Sequence, residues 1–502
     1  MGKPTNLILY QISFQYDGNT EPIVQDITFH LGVGWSGVVG ANGSGKTTLL
    51  KLAGGYLFPT SGTVSGNEDV YYCNQLIEMR PPFWEDFRYT YDKHAIRLKN
   101  LLQIDDDWYD RWDTLSEGER KRLQLGIALW LNPTILAIDE PTNHLDDYAQ
   151  ELISNALATF KGIGLLVSHD RRLLDRLCTT ILVMDPPSVL LYHGNYSQTM
   201  NQINQEQAHL QQKQTNLKKQ VQRLTHEFQS RKHQAAQADK QRSKRHIAKK
   251  DHDTKAKIDL ARITGKDGKA GRLMDQMRGR LDQVSNKLDS MHIKKQYELG
   301  IWWDVEPSKQ DQLGIIDPTI LSLGTSKQLV VPQLVITPTD RIGLIGSNGA
   351  GKSTLLRYIL STISLPHDLI LSIPQEIPAK DIINLLHTFH NLDTERMGRV
   401  MNSIRRLNSD PVRVLESEHP SPGEIRKLML ALGIERKPHL ITMDEPTNHM
   451  DLPSIICLEE ALAEIPIAMI LISHDRRFLE SLQVQFWKIQ TGEGINQVDI
   501  HT

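Results

Sequence analysis

Short apolar runs recur near both ends of the chain, each closed by glycines or acidic residues. Gly37-Val38-Val39 and Ile342-Gly343-Leu344-Ile345 run into glycine-rich loops, while Ile135 to Ile138 and Leu440 to Met443 end on Asp-Glu pairs. Gly164 to Val167 and Ile467 to Ile472 each precede Ser-His-Asp. Runs this short, without polar alternation, predict strands buried on both faces, as in a mostly parallel sheet covered by helices. Thr48 to Leu52 and Thr354 to Leu360 read as helices that open directly after the glycine loops. Both ends are therefore predicted to be α/β.

The middle follows another period. No proline occurs between Ser188 and Glu306, although the chain has 23. Ile203, Leu210, Leu217, Val221, Leu224 and Phe228 fall on a heptad stripe, and Met277, Leu281, Val284, Leu288 and Met291 repeat the spacing. The glycines at 265, 268 and 271 form a predicted breaker between the stripes. Two stripes about a breaker predict a long antiparallel α-helical hairpin with arms of similar length. The second arm, Arg272 to Leu299, reaches ~42 Å at about 1.5 Å per residue. Residues 241–271 are left over as the tip.

Three motifs recur in one order. GANGSGKT at 40–47 returns as GSNGAGKS at 346–353, an offset of 306. IDEPTNHLD at 138–146 returns as MDEPTNHMD at 443–451, and SHDRR at 168–172 returns at 473–477, both offset by 305. One order at one offset indicates a duplicated domain, so the chain divides into domain 1–196, linker 197–300 and domain 301–502.

Charge separates the linker from its flanks. Residues 201–300 hold 23 Lys and Arg against 11 Asp and Glu, a net of +12, in a chain whose overall charge is −3. The flanks repel polyanions and the linker attracts them, so nucleic-acid contact is expected from 241–271, which begins QRSKRHIAKK. No apolar run approaches the ~18 residues of a membrane span. The N-terminus lacks a signal-peptide pattern, and Asn6 breaks the myristoylation pattern. Cys73, Cys178 and Cys457 stand far apart without metal-ligand spacing, which fits a reducing, cytoplasmic setting.

Both glycine-rich loops match the phosphate-binding pattern GxxxxGK[ST] between a strand and a helix. In the first, Gly40, Asn42, Gly43, Ser44 and Gly45 curl backbone N–H groups around phosphates, and Thr48 follows on the helix. Lys46 is predicted to reach the β- and γ-phosphates and Thr47 to ligate Mg²⁺. In the second, Gly346, Asn348, Gly349, Ala350 and Gly351 form the cradle, followed by Lys352, Ser353 and Thr354 in the same roles. Asp139 and Asp444 are candidates to hold Mg²⁺ through water, and Glu140 and Glu445 to polarise the attacking water. His169 and His474 are candidates to sense the γ-phosphate.

These loops, LSEGE at 115–119, the Asp-Glu pairs and the SHD histidines together resemble the set found in ATP-binding-cassette ATPases. EPTNHLD, present twice almost unchanged, is similar specifically to the ABC-F subfamily of paired, membrane-free cassettes. The resemblance implies two P-loop cassettes sandwiching two ATP molecules head to tail, each between one Walker A loop and the opposite signature. Ser116 and Gly118 then face one nucleotide, and Ser421 and Gly423 the other. It further implies that Gln75 and Gln375 are Q-loop residues at the metal, Tyr16 the adenine-stacking aromatic, and Asp146 and Asp451 the D-loops.

Members of the subfamily bind the ribosome at the tRNA exit site and reach the peptidyl-transferase region with the hairpin. The resemblance thus implies an ATPase using ATP and Mg²⁺, a monomer with internal cassette pairing, acting on rRNA and tRNA and not on a membrane. An antibiotic-resistance (ribosomal protection) protein and a housekeeping translation factor both remain open. A transporter motor and a nucleotide-gated scaffold are the alternatives of another class. The compact plan favours protection, with 39 residues between Gln75 and Leu115 and 28 after His474. The sequence departs from the family pattern twice. Its second signature reads Pro420-Ser421-Pro422-Gly423-Glu424, where Pro422 removes a backbone donor, and Ile320 to Gln333 holds no adenine-stacking aromatic. The two sites are expected to be unequal.

Overall fold

A computed structural model describes residues 6–18, 21–143, 145–241, 266–290, 305–324, 327–409, 411, 414, 420–492 and 494–501. The chain forms two compact units, one made of Met1–Thr199 with Tyr297–Thr502 and one of Met200–Gln296.

In the first half the strands are β1 (Leu7–Phe14), β2 (Val24–Leu31), β3 (Gly34–Gly40), β4 (Ser61–Ser65) and β5 (Val70–Cys73). They continue with β6 (Ile135–Asp139), β7 (Ile163–Val167), β8 (Cys178–Asp185) and β9 (Ser188–His193). The main sheet has the order β5-β6-β7-β3-β8-β9, parallel throughout except for β9. β2-β1-β4 form a separate antiparallel sheet. The second half contributes β10 (Gly314–Ile316), β11 (Thr319–Leu323), β12 (Lys327–Val331), β13 (Leu334–Ile336) and β14 (Arg341–Gly346). β15 (Ile370–Ile373), β16 (Leu440–Asp444), β17 (Ala468–Ile472), β18 (Gln485–Thr491) and β19 (Ile495–His501) complete it. The run β15-β16-β17-β14-β18-β19 reproduces the first sheet strand for strand, so the motif offset is also a repeat of topology.

Every residue of β6, β7, β16 and β17 is buried, as their unbroken apolar runs require. Leu49, Leu50 and Leu52 of the helix Lys46–Ala53 pack on Val38, Ile135 and Leu165 of the first sheet. Each such side chain contributes about 1.5–3 kcal/mol, which fixes the helix that follows the glycine loop. Trp35 of β3 lies beside Gly164 of β7, where a Cβ would stand 2.2 Å from the indole. That glycine is a space requirement, and the indole N–H finds Leu157 O at 3.2 Å. Because β3, β6 and β7 are parallel, their C-terminal ends bring the loop after Gly40, the pair Asp139-Glu140 and Ser168-His169 to one edge.

The other unit is helical. Its helices are Tyr196–Gln241, 46 residues or about 69 Å long, and Lys266–Asp289, 24 residues. Most residues of the two stripes are half-buried and Met277 is buried, but Leu210 is 42% exposed. The expected breaker fails in part, because the second helix already begins at Lys266 and runs through Gly268 and Gly271. A glycine costs a helix only about 1 kcal/mol, and with no proline nearby two of them do not stop it. The arms are consequently unequal within the described residues. Residues 242–265, most of the expected tip, lie outside the described residues, as does Met291.

Candidate nucleotide sites

The glycine loops bend because of left-handed backbone. Gly45 has φ +93°, and a Cβ there would lie 2.2 Å from Ile23; Gly351 has φ +108° and faces Leu323 at 2.9 Å. Each turn starts a helix whose first residue is the invariant lysine of the pattern. Lys46 is buried, and its Nζ donates to Gly40 O at 3.0 Å and Ala41 O at 3.1 Å. Lys352 does the same to Gly346 O at 2.8 Å and Ser347 O at 3.2 Å. The next hydroxyl meets the strand carboxylate: Thr47 donates to Asp139 at 2.6 Å, and Ser353 to Asp444 at 2.7 Å. Two hard oxygen donors this close, beside a phosphate cradle, fit the chemistry of Mg²⁺.

Glu140 and Glu445 follow buried strands in left-handed backbone, with φ +45° and +50°. Such a conformation costs of order 1–3 kcal/mol and persists where packing over-determines it. In each, Oε2 accepts a backbone N–H, from His169 at 3.2 Å and from His474 at 3.3 Å. Each Oε1 is buried and has no hydrogen-bond partner, leaving one oxygen available to a substrate water. Burial pushes the Glu140 carboxyl up to about 7, against the pull of Lys46. Burial likewise pushes Glu445 up to about 8, against Lys352. His169 Nε2 lies 3.2 Å from Glu140 Oε1, and His474 Nε2 lies 3.5 Å from Glu445 Oε1. Burial holds the two imidazoles at about 3 and about 4, so at neutral pH these contacts are not ion pairs.

The two halves meet through their D-loops. Asp451 caps the helix Leu452–Ala463 by accepting from Ser454 N at 2.9 Å, and its other oxygen accepts Asn42 N of the opposite glycine loop at 2.7 Å. Burial pushes the Asp451 carboxyl up, but the bonds from Ser454 and Asn42 outweigh that and hold it below its ordinary value. Asp146 caps Asp147–Leu157 through Ala149 N at 3.0 Å and accepts Asn348 N across the interface at 3.2 Å.

The first cavity, about 630 Å³, is lined by Tyr16, Lys46, Thr47, Gln75, Asp139, Glu140 and His169 from one half and by Ser421 and Pro422 from the other. Asn42, Gly43, Gly45 and Thr48 also line it. Tyr16 is braced edge-on against Phe14, centroids 4.9 Å apart, with its hydroxyl 3.1 Å from Thr48 Oγ1. The second cavity, about 520 Å³, gathers Asn348, Gly349, Gly351, Lys352, Ser353, Thr354, Gln375, Asp444, Glu445 and His474. Leu323, Gly324 and Lys327 line it too. The reason no aromatic joins them is loop length. β11 and β12 are paired up to Leu323 and Lys327, whereas β1 and β2 are paired only up to Phe14 and Val24, which leaves room for Tyr16.

Ser116 and Gly118 are not among the described residues lining the second cavity. That side of the interface is held by the longer of the two D-loop bonds. Gly423 does not line the first cavity, and Gly40, Ser44, Gly346 and Ala350 line neither.

Residues 24–143 and 332–448 match the ABC transporter family. Ribosome protection protein VmlR of Bacillus subtilis (strain 168) is 28% identical over 456 residues, covering 88% of this chain and 79% of that protein. Erythromycin resistance ATP-binding protein MsrA of Staphylococcus epidermidis is 28% identical over 474 residues, covering 92% and 93%. The chain is a tandem ATP-binding-cassette ATPase of the ABC-F subfamily. The archaeal ribosome recycling factor aABCE1, solved with the stalk protein aP1, shares the fold of the ABC-F chain at TM-score 0.63. It is 17% identical, over 97% of this chain and 89% of that chain. Among the described residues no helix is long and apolar enough to cross a membrane.

In the ABC-F chain the altered signature keeps its local structure. Ser116 and Ser421 cap their helices identically: Glu119 and Glu424 each accept the serine N–H at 2.8 Å, and each serine hydroxyl accepts the glutamate N–H at 3.3 Å. Pro422 sits in the first helical turn, where no intrahelical donor is needed. What it removes is one N–H at the helix end offered to an anion.

Sequence reasoning missed the arginines of SHDRR. Arg171 pairs with Glu459 and, at 3.3 Å, with Asp475; Arg172 pairs with Glu480 at 3.1 Å; Arg476 pairs with Asp147. All of these cross between cassettes, and the repetition of both arginines in the two copies was the available signal.

Proposed function

We propose that this ABC-F ATPase binds the ribosome and reaches toward tRNA and the peptidyl-transferase region with its basic linker, protecting the ribosome from antibiotics. The observation that carries the reading is the linker charge of +12 set between two ATPase cassettes. The printed names of VmlR, a ribosome protection protein, and MsrA, an erythromycin resistance protein, support it. On this reading the protein is cytoplasmic and monomeric, and residues 241–271 supply cations to rRNA and tRNA phosphates.

In each site the P-loop N–H groups cradle the triphosphate. Lys46 and Lys352 turn from their own loop carbonyls to the β- and γ-phosphates. Tyr16 stacks on the adenine of the first site. Thr47, Asp139 and Gln75 hold Mg²⁺ in one site, and Ser353, Asp444 and Gln375 in the other. Bound Mg²⁺ neutralises and orients the phosphate oxygens. The free Oε1 of Glu140 or Glu445 takes a proton from water as its oxygen attacks the γ-phosphorus. The bond to the β-phosphate oxygen breaks, and ADP and phosphate leave. His169 and His474 hold the carboxylates in place through their N–H groups and face the γ-phosphate. Ser421 with Gly423, and Ser116 with Gly118, close on the phosphates once the cassettes tighten.

The test is the double variant Glu140→Gln, Glu445→Gln, which keeps both pockets but removes the base. Its co-sedimentation with ribosomes in ATP is expected to exceed that of the wild type. No enrichment at physiological salt defeats the proposal. Replacing Lys244, Arg245, Lys249 and Lys250 is expected to abolish drug tolerance, and an unchanged drug profile counts against protection.

A further inference from the structure

Each signature helix carries a buried cation that the nucleotide chemistry above does not use. Lys121 stands five residues after Ser116, and Arg426 five after Ser421. They are 6% and 3% exposed. A cation at such a helix position costs several kcal/mol to bury unless it is fully bonded, and an apolar side chain would be cheaper. Stability alone therefore does not explain it, and the bonding pattern does.

Lys121 Nζ donates to Asn74 O at 2.7 Å, Gln75 O at 3.1 Å and Gln124 Oε1 at 3.3 Å, one acceptor for each N–H. Arg426 donates to Gln375 O and to Asn448 O. Different side chains in the two copies thus reach the same place, the backbone carbonyl of the Q-loop glutamine. Gln75 and Gln375 lie on exposed turns just after β5 and β15, where no sheet bond fixes the chain. A donor coming from behind, out of the signature helix, supplies that restraint.

We propose that Lys121 and Arg426 are positioning residues that hold the Q-loop backbone so that Gln75 and Gln375 present their side-chain oxygens to the metal of their own site. The inference rests on the reading of these glutamines as metal ligands. Arg426 also holds Asn448, whose turn leads to Asp451 and so to the Asn42 bond at the opposite site.

The experiment uses the full chain in a Lys352→Ala background, so that only the first site is loaded. Binding of a fluorescent ATP analogue is measured with and without Mg²⁺ for Lys121→Met, Lys121→Arg and Gln75→Ala, alongside Tm. Lys121→Met is expected to lose about 10-fold of the Mg²⁺-dependent gain in affinity, as removal of an outer-shell partner does, with metal-free binding within about 2-fold of the parent. Lys121→Arg restores the gain, because arginine fills this role in the second cassette. An undiminished gain in Lys121→Met overturns the proposal. So does a parallel fall of metal-free and Mg²⁺-bound affinity together with Tm, which marks a structural prop. Gln75→Ala separates the premises: if it keeps the gain, the ligand reading fails. If it loses the gain while Lys121→Met keeps it, only the positioning role fails.

Discussion

Asp451→Asn separates two tasks carried by one carboxylate. Oδ1 caps the helix Leu452–Ala463 at 2.9 Å, and Oδ2 accepts Asn42 N of the opposite cassette at 2.7 Å. Asparagine caps a helix as well as aspartate does, so its single oxygen stays on Ser454. Its amide nitrogen then faces the Asn42 N–H, donor against donor. The variant keeps its cap but loses a charge-assisted bond across the interface worth about 1.5–3 kcal/mol. At 1.4 kcal/mol per tenfold, that is roughly a 10- to 150-fold weaker closure equilibrium. The same exchange at Asp146 breaks a longer bond, 3.2 Å, and is expected to weaken closure less. Closure is read by energy transfer between one exposed label on each cassette during ATP titration, in the Glu140→Gln, Glu445→Gln background so that hydrolysis does not interfere. Tm should stay near that of the parent. Closure at the parent ATP concentration refutes the reasoning, and so does a larger defect in Asp146→Asn than in Asp451→Asn.

Burial raises Glu445 to about 8, so the folded protein binds a proton that the unfolded chain has released, and stability falls as pH rises toward that value. Nucleotide-free Glu445→Gln should match wild-type Tm at acid pH, where the carboxyl is neutral, and exceed it by a few °C above pH ~8, read by scanning fluorimetry. Tyr16→Ala removes a braced stacking ring worth about 1–2 kcal/mol and should raise KM for ATP roughly 5- to 30-fold in the Lys352→Ala background. In the Lys46→Ala background it should do nothing, and equal losses in both would remove Tyr16 from the first site. Pro422→Ala restores one N–H at a helix end without touching the Ser421–Glu424 cap. Turnover at the first site should rise about 10-fold while stability stays within roughly 0.5 kcal/mol, and an unchanged turnover means the N–H does not reach phosphate.

What the sequence displayed was local. Unalternated runs such as Ile135 to Ile138 mark strands buried on both faces, and a constant offset between motifs marks a repeated topology. The motif residues around Lys46 and Lys352 do converge on cavities, because their spacing encodes a strand, a turn and a helix. The missed features depend on partners distant in sequence. Asn42 finds Asp451, and Arg171 finds Glu459, through an interface that no local spacing records. Gly268 and Gly271 misled because glycine opposes a helix only weakly, and a proline-free neighbourhood lets the helix continue. Nothing in the local sequence around Lys121 marks it for burial. Its burial follows from the fold of the Q-loop over it.

The strand-for-strand repeat resides in one polypeptide, and that has a genetic consequence. In a pair of identical subunits, every codon change strikes both catalytic centres at once. A proline in the signature or a clipped hairpin beside the base would then be doubled. Here each position is written once, so Pro422 touches only the pocket that holds Tyr16, and the short β11–β12 turn touches only the other. Joining the copies frees each half to drift separately, and a lineage can slow one combustion chamber of the engine while leaving its neighbour at full stroke.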